Sequence, residues 1–346
     1  MITKTEKEIF QQHIALKKTY NYMIDHREET EQFFQKCATK KLVFIGCGSS
    51  YMLAKSGEKM FASAEGFRTS AIAGGDYLMN PSFYRESVKG SLVVALSRSG
   101  KTTEMVRALS ILKKQEDCPI LSLTAAQPND FMEHADLNLT MEWCYDQSVC
   151  QTRTVSNLYL ALMILYSFWN QDSRSLEALK TAVEENERFQ LRNRACLKRI
   201  AGMDWERAVI LANGPFAGIA EEGALAFTEI AMIPGEYHPI LDYRHGPIVL
   251  NDEKTLNIIL LDQAEDNLQK GLIKDLKEYG GVILAIGQGT KEFWEADRVI
   301  DIGDAEGTCA AGIPFINTIQ ILAYEKSVIL GRNPDEPTGL DAYILL

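Results

Sequence analysis

The chain has 346 residues, with 47 acidic against 36 basic side chains for a formal charge of −11, and is 46% hydrophobic. That length suits two domains with full cores, and the charge argues against nucleic-acid or anionic-membrane partners. The longest apolar run, Leu158 to Trp169, is well short of the roughly 20 residues of a membrane span. The start, Met1-Ile2-Thr3-Lys4-Thr5, has no apolar signal core. Seven cysteines without a Cys-x-x-Cys pair suit reduced core thiols better than disulfides or zinc. A cytoplasmic protein without metal or cofactor is expected.

Residues 1–38 read as an N-terminal helical segment. The strand-like Lys41-Leu42-Val43-Phe44-Ile45 then leads through Gly46-Cys47-Gly48-Ser49-Ser50 into the helical pattern Tyr51–Lys55. A second unit of this kind follows: the apolar Leu92–Leu96, the loop Ser97-Arg98-Ser99-Gly100-Lys101-Thr102-Thr103-Glu104, and a helix from Met105. Hydroxyls, small residues and the free N–H groups of a helix start suit a phosphate monoester. Either loop alone reads more readily as an ordinary turn and N-cap; the two together reverse that balance and could close on one phosphate. Neither loop has Walker spacing, and Gly46-Cys47-Gly48 lacks the third glycine of a dinucleotide fingerprint.

Matching residues recur at an offset of 166: Val43/Val209, Gly48/Gly214, Ala54/Ala220, Gly57/Gly223 and Phe61/Phe227. Cys118–Leu123, Leu256–Leu261 and Gly281–Ile286 are further strand candidates, and Phe131…Ala135-Asp136 is echoed by Phe293…Ala296-Asp297. The halves therefore read as duplicates of one α/β unit with a parallel sheet covered on both faces and ligands at the strands' carboxyl ends. Domains are expected at 39–170 and 190–332, with 333–346 a tail crossing the active site. In the second half the strand Leu256–Leu261 runs into Asp262-Gln263-Ala264-Glu265-Asp266, whose carboxylates would repel phosphate.

The second half offers acid-base groups instead. Glu222 and Glu229 are seven apart, two helical turns, and His245 follows sixteen residues later in Arg244-His245-Gly246-Pro247. Glutamates on a helix are usually a solvated face. Here they interrupt the apolar Ile219, Ala220, Ala224, Leu225 and Ile230, so a buried carboxylate with a raised pKa is plausible.

On these motifs the chain resembles the sugar isomerase (SIS) domain family, above all the tandem pair in the isomerase half of glucosamine-6-phosphate synthase. The resemblance implies two SIS domains, each a doubly wound, flavodoxin-like parallel sheet flanked by helices, binding a hexose 6-phosphate through Ser50, Ser97, Arg98, Ser99 and Thr102. It implies Glu229 as the base moving a proton between C1 and C2, with Glu222 beside it and His245 assisting ring opening. Val149, Gln151, Arg244 and Ala342 match sugar-lining positions, although Val149–Arg153 could equally cap the helix that follows. Family members pair, so a homodimer or homotetramer is implied.

Two departures bear on the reaction. The family's tail lysine, which forms a Schiff base, is missing from Asp335-Glu336-Pro337-Thr338-Gly339-Leu340-Asp341-Ala342, and the lysine one turn before the catalytic glutamate is Ala226. The chain opens without a glutaminase-type cysteine, so an enzyme lacking the glutaminase domain is expected. A phosphosugar isomerase or amino-sugar phosphate isomerase/deaminase is the first expectation. The second is a fructosamine-6-phosphate (fructoselysine or glucoselysine 6-phosphate) deglycase, resembled through Arg244-His245-Gly246-Pro247 and Asn333-Pro334-Asp335-Glu336. A non-catalytic phosphosugar sensor is the alternative from another class.

Overall fold

The computed structural model describes residues 2–262, 266–288, 295–305 and 307–346. Three helices, Lys4–Phe10, Gln12–Asp25 and Arg27–Cys37, precede the first sheet. That sheet contains β1 (Lys41–Gly46), β2 (Arg68–Ala73), β3 (Leu92–Ser97), β4 (Ile120–Thr124) and β5 (Leu137–Thr140), all parallel, in the order β2-β1-β3-β4-β5. The second contains β6 (Arg207–Leu211), β7 (Gly235–His238), β8 (Thr255–Leu260), β9 (Val282–Gly287) and β10 (Arg298–Asp301), all parallel, in the order β10-β9-β8-β6-β7. Within each sheet the first strand is flanked by the second and third, so the two windings are the same. This is the α/β architecture of two doubly wound, flavodoxin-like domains expected from the sequence.

The central strands are apolar on both faces because both faces are covered. Alternate residues part company accordingly: Leu42 and Phe44 join an apolar cluster shared by the two domains, while Val43 and Ile45 enter a separate cluster on the outer face of the first sheet. The shared cluster runs through the helices Arg153–Trp169 and Gly312–Ile329, which are buried over almost their whole length.

The duplication extends to individual hydrogen bonds. The Asp136 carboxylate accepts the backbone N–H of Ile120 at 2.9 Å and the Lys113 ammonium at 2.6 Å. The Asp297 carboxylate accepts Ile283 N–H at 2.8 Å and Lys277 at 2.7 Å in the same way. Across the domain boundary the helices Ser49–Ala62 and Ala217–Ala226 cross closely enough that a Cβ on Gly218 would lie 2.3 Å from Met52 O. Lys55 and Glu221, which the offset of 166 makes equivalent, pair across this crossing at 2.7 Å.

Several expectations are adjusted. The helices Ser173–Glu184 and Asn186–Ala201 fill the connection, so position 190 lies inside a helix and the second sheet begins at Arg207. The α-helix from Ala217 ends at Ala226, and Phe227–Ala231 forms a wider π-helical turn closed by Met232 in the left-handed region (φ 49°). Glu222 and Glu229 are therefore separated by an α turn and a π turn, not by two α turns; such bulges recur at functional sites. Of the expected segments, Gln263, Ala264, Glu265 and Phe293 lie outside the described residues. Among the described residues no helix is long and apolar enough to cross a membrane.

Candidate active site

The two hydroxyl-rich loops meet at the carboxyl ends of β1 and β3, where the strand order reverses, the usual ligand position in such sheets. Backbone geometry forces their glycines. A Cβ on Gly46 would sit 2.5 Å from the Ser50 carbonyl group, and Gly100, at φ 61°, would meet the Asn129 side chain at 2.6 Å. The loops end at the starts of the helices Ser49–Ala62 and Thr103–Gln115, whose N-terminal dipoles favour an anion in the crevice.

A cavity of about 170 Å³ occupies this crevice, lined among others by Gly48, Ser49, Ser50, Ser97, Arg98, Ser99 and Thr102. Val149, Gln151, Glu229 and Ala342 line the same cavity, together with Cys47, Glu104 and the tail residues Leu340, Asp341, Tyr343 and Ile344. Ser97 Oγ accepts Gly100 N–H at 2.9 Å and Ser99 Oγ accepts Lys101 N–H at 3.2 Å, which leaves each hydroxyl proton to donate elsewhere. Lys101, expected to add charge beside the anion, is exposed and does not line the cavity.

Arg98 is only 3% exposed. Its terminal nitrogens donate to Ser148 O at 3.0 Å and to Ala342 O, its guanidinium lies 5.7 Å from the centre of the Tyr145 ring, and its Nε has no protein partner. Arg98 therefore ties the loop to the tail and to residues 145–148, with Nε left for a ligand. Glu104 Oε2 and Gln151 Oε1, on the same cavity, are also buried without partners. Buried polar atoms are rarely left unsatisfied, so three on one cavity mark a place for a polar ligand.

Glu229 enters from the π turn of the other domain. Burial pushes its carboxyl up to about 7, against the pull of the Arg98 charge. Glu222, 1% exposed, is pushed up to about 8, by burial first and then by the Glu229 charge, while its hydrogen bond with Ser49 pulls it down. Ser49 thus links the first domain's loop to the second domain's carboxylates.

The structure does not bring every expected residue here. His245 is exposed on the loop after Tyr243, and Arg244 is bound to Asp275 at 2.7 Å; neither lines this cavity. His238 lies 3.3 Å from Glu236 and against the Tyr243 ring. Tyr145 and Asp146 went unread in the sequence because no motif brings them forward; only the folded crevice puts them beside the loop, and it also turns Glu104, the last residue of the loop motif, into the cavity lining. Among the described residues no group of three or more His, Cys, Asp or Glu is arranged to hold a metal ion. A larger cavity, about 760 Å³, lies between the helices at 174–192 and the end of β10. Its mixed Arg and Glu rim has no convergent acid-base pair.

The sequence profile of the SIS domain matches residues 37–171. Among curated proteins the chain is 26% identical over 359 residues to glutamine–fructose-6-phosphate aminotransferase (isomerizing) of Francisella tularensis, covering 96% of this chain and 57% of that one. The enzyme of the same name from Sulfolobus acidocaldarius is 25% identical, covering 96% and 55%. The chain thus spans little more than half the length of these relatives. Among solved structures, glucosamine-6-phosphate deaminase from Thermotoga maritima superposes with a TM-score of 0.84 at 26% identity, covering 99% of this chain and 100% of that one. Tagatose-6-phosphate ketose/aldose isomerase from Escherichia coli superposes at 0.86 with 19% identity, covering 99% and 96%, a likeness of fold. Residues 37–171 thus match the SIS domain, and a second domain wound in the same order lies behind it.

Proposed function

We propose that the protein is a sugar-phosphate isomerase-type enzyme that moves a proton between C1 and C2 of a hexose 6-phosphate or amino-sugar 6-phosphate. The observation that carries this is Glu229, a carboxyl with a pKa pushed up to about 7, on the same cavity as a hydroxyl-rich loop at two helix N-termini. The phosphate sits among Gly48, Ser49, Ser50, Ser97, Ser99 and Thr102, with Arg98 Nε at its side, and the sugar extends toward Val149, Gln151 and Ala342. Ionised Glu229 takes the C2 proton, the C–H electrons form the C1–C2 double bond of an enediol or enolamine, and the carbonyl oxygen or imine nitrogen takes up a proton. Return of the Glu229 proton to C1, while the C2 hydroxyl gives up its proton and becomes the carbonyl, completes the transfer. Glu222, neutral at pH 7 by its environment, limits the negative charge beside the developing enediolate. His245 serves ring opening in the cavity of a second copy, a placement supported by its exposure next to the exposed Val249 and Leu250.

A second reading is favoured by one observation. No lysine lines the cavity among the described residues, and the tail presents Ala342 there. An enzyme without an amine acts most simply on a substrate that brings its own nitrogen, as in deamination of glucosamine 6-phosphate or cleavage of a fructosamine 6-phosphate. The 26% identity to the Thermotoga maritima deaminase over the whole chain supports an amino sugar. Proton NMR in D2O with fructose 6-phosphate, glucosamine 6-phosphate and fructoselysine 6-phosphate separates the cases. Deuterium entering C1 of fructose 6-phosphate, or C2 of the aldose formed from it, identifies the isomerase, released ammonia the deaminase, and released lysine the deglycase. Saturable binding with no exchange in any of them would sink catalysis and leave a sensor.

A further inference from the structure

The segment 146–154, which carries Val149 and Gln151 to the cavity, has no regular structure of its own before the helix at Arg153. A segment of that kind holds its shape only through bonds to its surroundings. Glu8, on the N-terminal helix Lys4–Phe10 and 3% exposed, accepts the backbone N–H groups of Gln147 and Ser148 and the Ser148 hydroxyl. Val149 N–H donates to the carbonyl of Asp335 at 3.0 Å. The Asp335 carboxylate in turn closes the start of Glu8's own helix, accepting Lys4 N–H at 2.9 Å, and Thr5 N–H and Thr5 Oγ1 at 2.8 Å. On the far side the buried Asp146 carboxylate accepts Thr152 N–H at 2.9 Å and Thr154 N–H at 2.8 Å. The Ser148 carbonyl receives Arg98 from the phosphate-side loop.

We propose that Glu8 and Asp335 are positioning residues for the sugar-facing segment: from outside the cavity they fix the backbone of Gln147, Ser148 and Val149, and with it the placement of Gln151. Three successive N–H groups are held by two carboxyl-bearing residues that never touch the cavity. Glu8 is the tighter control, because it reaches both neighbours of the segment's turn and its oxygens have no other polar partner to lose. The proposal rests on the proposed sugar-phosphate site, in which Val149 and Gln151 face the sugar and the serine loop faces the phosphate. It implies a division of labour: loosening the brace harms recognition of the sugar and spares recognition of phosphate.

The test compares dissociation constants for fructose 6-phosphate and for inorganic phosphate, by calorimetry, in the full chain and in Glu8→Gln, Glu8→Asp and Asp335→Asn. Glu8→Gln keeps the shape of the side chain but sets an NH2 against backbone donors. The expected result is that the preference for the sugar phosphate over inorganic phosphate falls roughly tenfold in Glu8→Gln, about one hydrogen bond's worth. A smaller fall is expected in Asp335→Asn, which keeps the main-chain carbonyl on Val149 N–H and weakens only the hold on the start of Glu8's helix, with phosphate binding unchanged in both and partial recovery in Glu8→Asp. A folded Glu8→Gln that keeps the wild-type preference overturns the proposal; if that variant does not fold, an unchanged preference in Glu8→Asp, whose shorter side chain draws the carboxylate back from Gln147 and Ser148, does the same. A wild-type protein without any preference for the sugar phosphate is a separate result, visible before any substitution, and overturns the functional reading together with the brace built on it.

Discussion

The carboxyl-end crevice of the first sheet and its counterpart in the second have the same backbone plan and opposite chemistry. The first is lined by Gly48-Ser49-Ser50 and Ser97-Arg98-Ser99. The second, a cavity of about 400 Å³, is lined by Gly214-Pro215-Phe216 and Leu260-Leu261-Asp262. The glycine persists in the left-handed region at both places (φ 55° and 53°), because the turn from strand to helix demands it. The hydroxyls do not persist: proline lacks even a backbone N–H, and phenylalanine stands where the first loop has Ser50, with no hydroxyl to donate. A winding order thus provides crevices, and side chains decide which one binds. The second domain contributes from a different element, the helix and π turn that carry Glu222 and Glu229 toward the first domain's loop.

The largest expected effect tests that division directly. Glu229→Gln should lower proton exchange at C1 or C2 by about 10²- to 10⁴-fold, the range for loss of a general base, while sugar-phosphate binding persists. Exchange followed by NMR and binding followed by calorimetry are read on the same samples. If binding and exchange fall together, Glu229 belongs to the ligand site and not to the chemistry.

Next in size is the contrast between the crevices. Ser97→Ala combined with Ser99→Ala removes two hydroxyl donors and should weaken hexose 6-phosphate binding by roughly 10- to 100-fold. Phe216→Ser, which gives the second crevice the residue found at the matching place in the first, should leave affinity and stoichiometry as they are. A second equivalent of ligand bound by Phe216→Ser would show that one residue, and not the whole lining, separates the two crevices.

Smaller still is a pH effect on stability. The Glu222 carboxyl is pushed from 4.5 to about 8 in the folded chain, so the folded state holds its proton more tightly than the unfolded state does. Its contribution is fully present below about pH 4.5 and is lost as pH rises through about 8. Glu222→Gln escapes that loss, so its stability relative to wild type should rise by roughly 2 kcal/mol between pH 5 and pH 6.5 in urea denaturation. A constant difference would place Glu222 in contact with water or with an undetected counter-charge. Activity has the opposite slope: exchange should increase as pH rises through about 7, where Glu229 ionises.

How far the sequence could be read follows from burial. β1, β3, β4, β6, β8 and β9, the three inner strands of each sheet, are predominantly apolar, interrupted only by single buried polar residues such as Ser122 and Asn257, and each was legible. The four edge strands were not: β2 reads Arg-Thr-Ser-Ala-Ile-Ala, β5 Leu-Asn-Leu-Thr, β7 Gly-Glu-Tyr-His and β10 Arg-Val-Ile-Asp. An edge strand is partly solvated and short, so its side chains carry no continuous hydrophobic signal. At the site, the serine loops and Glu229 could be found because local spacing announces them. The orphaned atoms of Glu104 and Gln151, the engagement of Arg98 by the Ser148 and Ala342 carbonyls, and the Glu8 brace could not, since each depends on contacts between segments far apart in the chain. The π turn at Glu229 also escaped, because an α and a π register share the same residues and differ only in which carbonyl each N–H reaches.

The smallest effect concerns the relation between the halves themselves. A residue on a twofold axis between identical units meets its own copy, so a lysine there would face a lysine. Lys55 and Glu221 occupy equivalent positions and face each other, with charges that attract, so this contact exists only because the halves differ. The side chains are 27% and 30% exposed, which limits the pair to about 0.5–1 kcal/mol. Lys55→Glu should cost somewhat more than that, by adding repulsion to the loss of attraction, and the exchange Lys55→Glu with Glu221→Lys should restore most of it. Equilibrium denaturation of the two single variants and the double variant supplies the coupling energy. If the double variant is no more stable than the singles, the pair merely fills the crossing, and the two helices are held by their close apolar packing at Gly218 and by the Ser49–Glu222 bond.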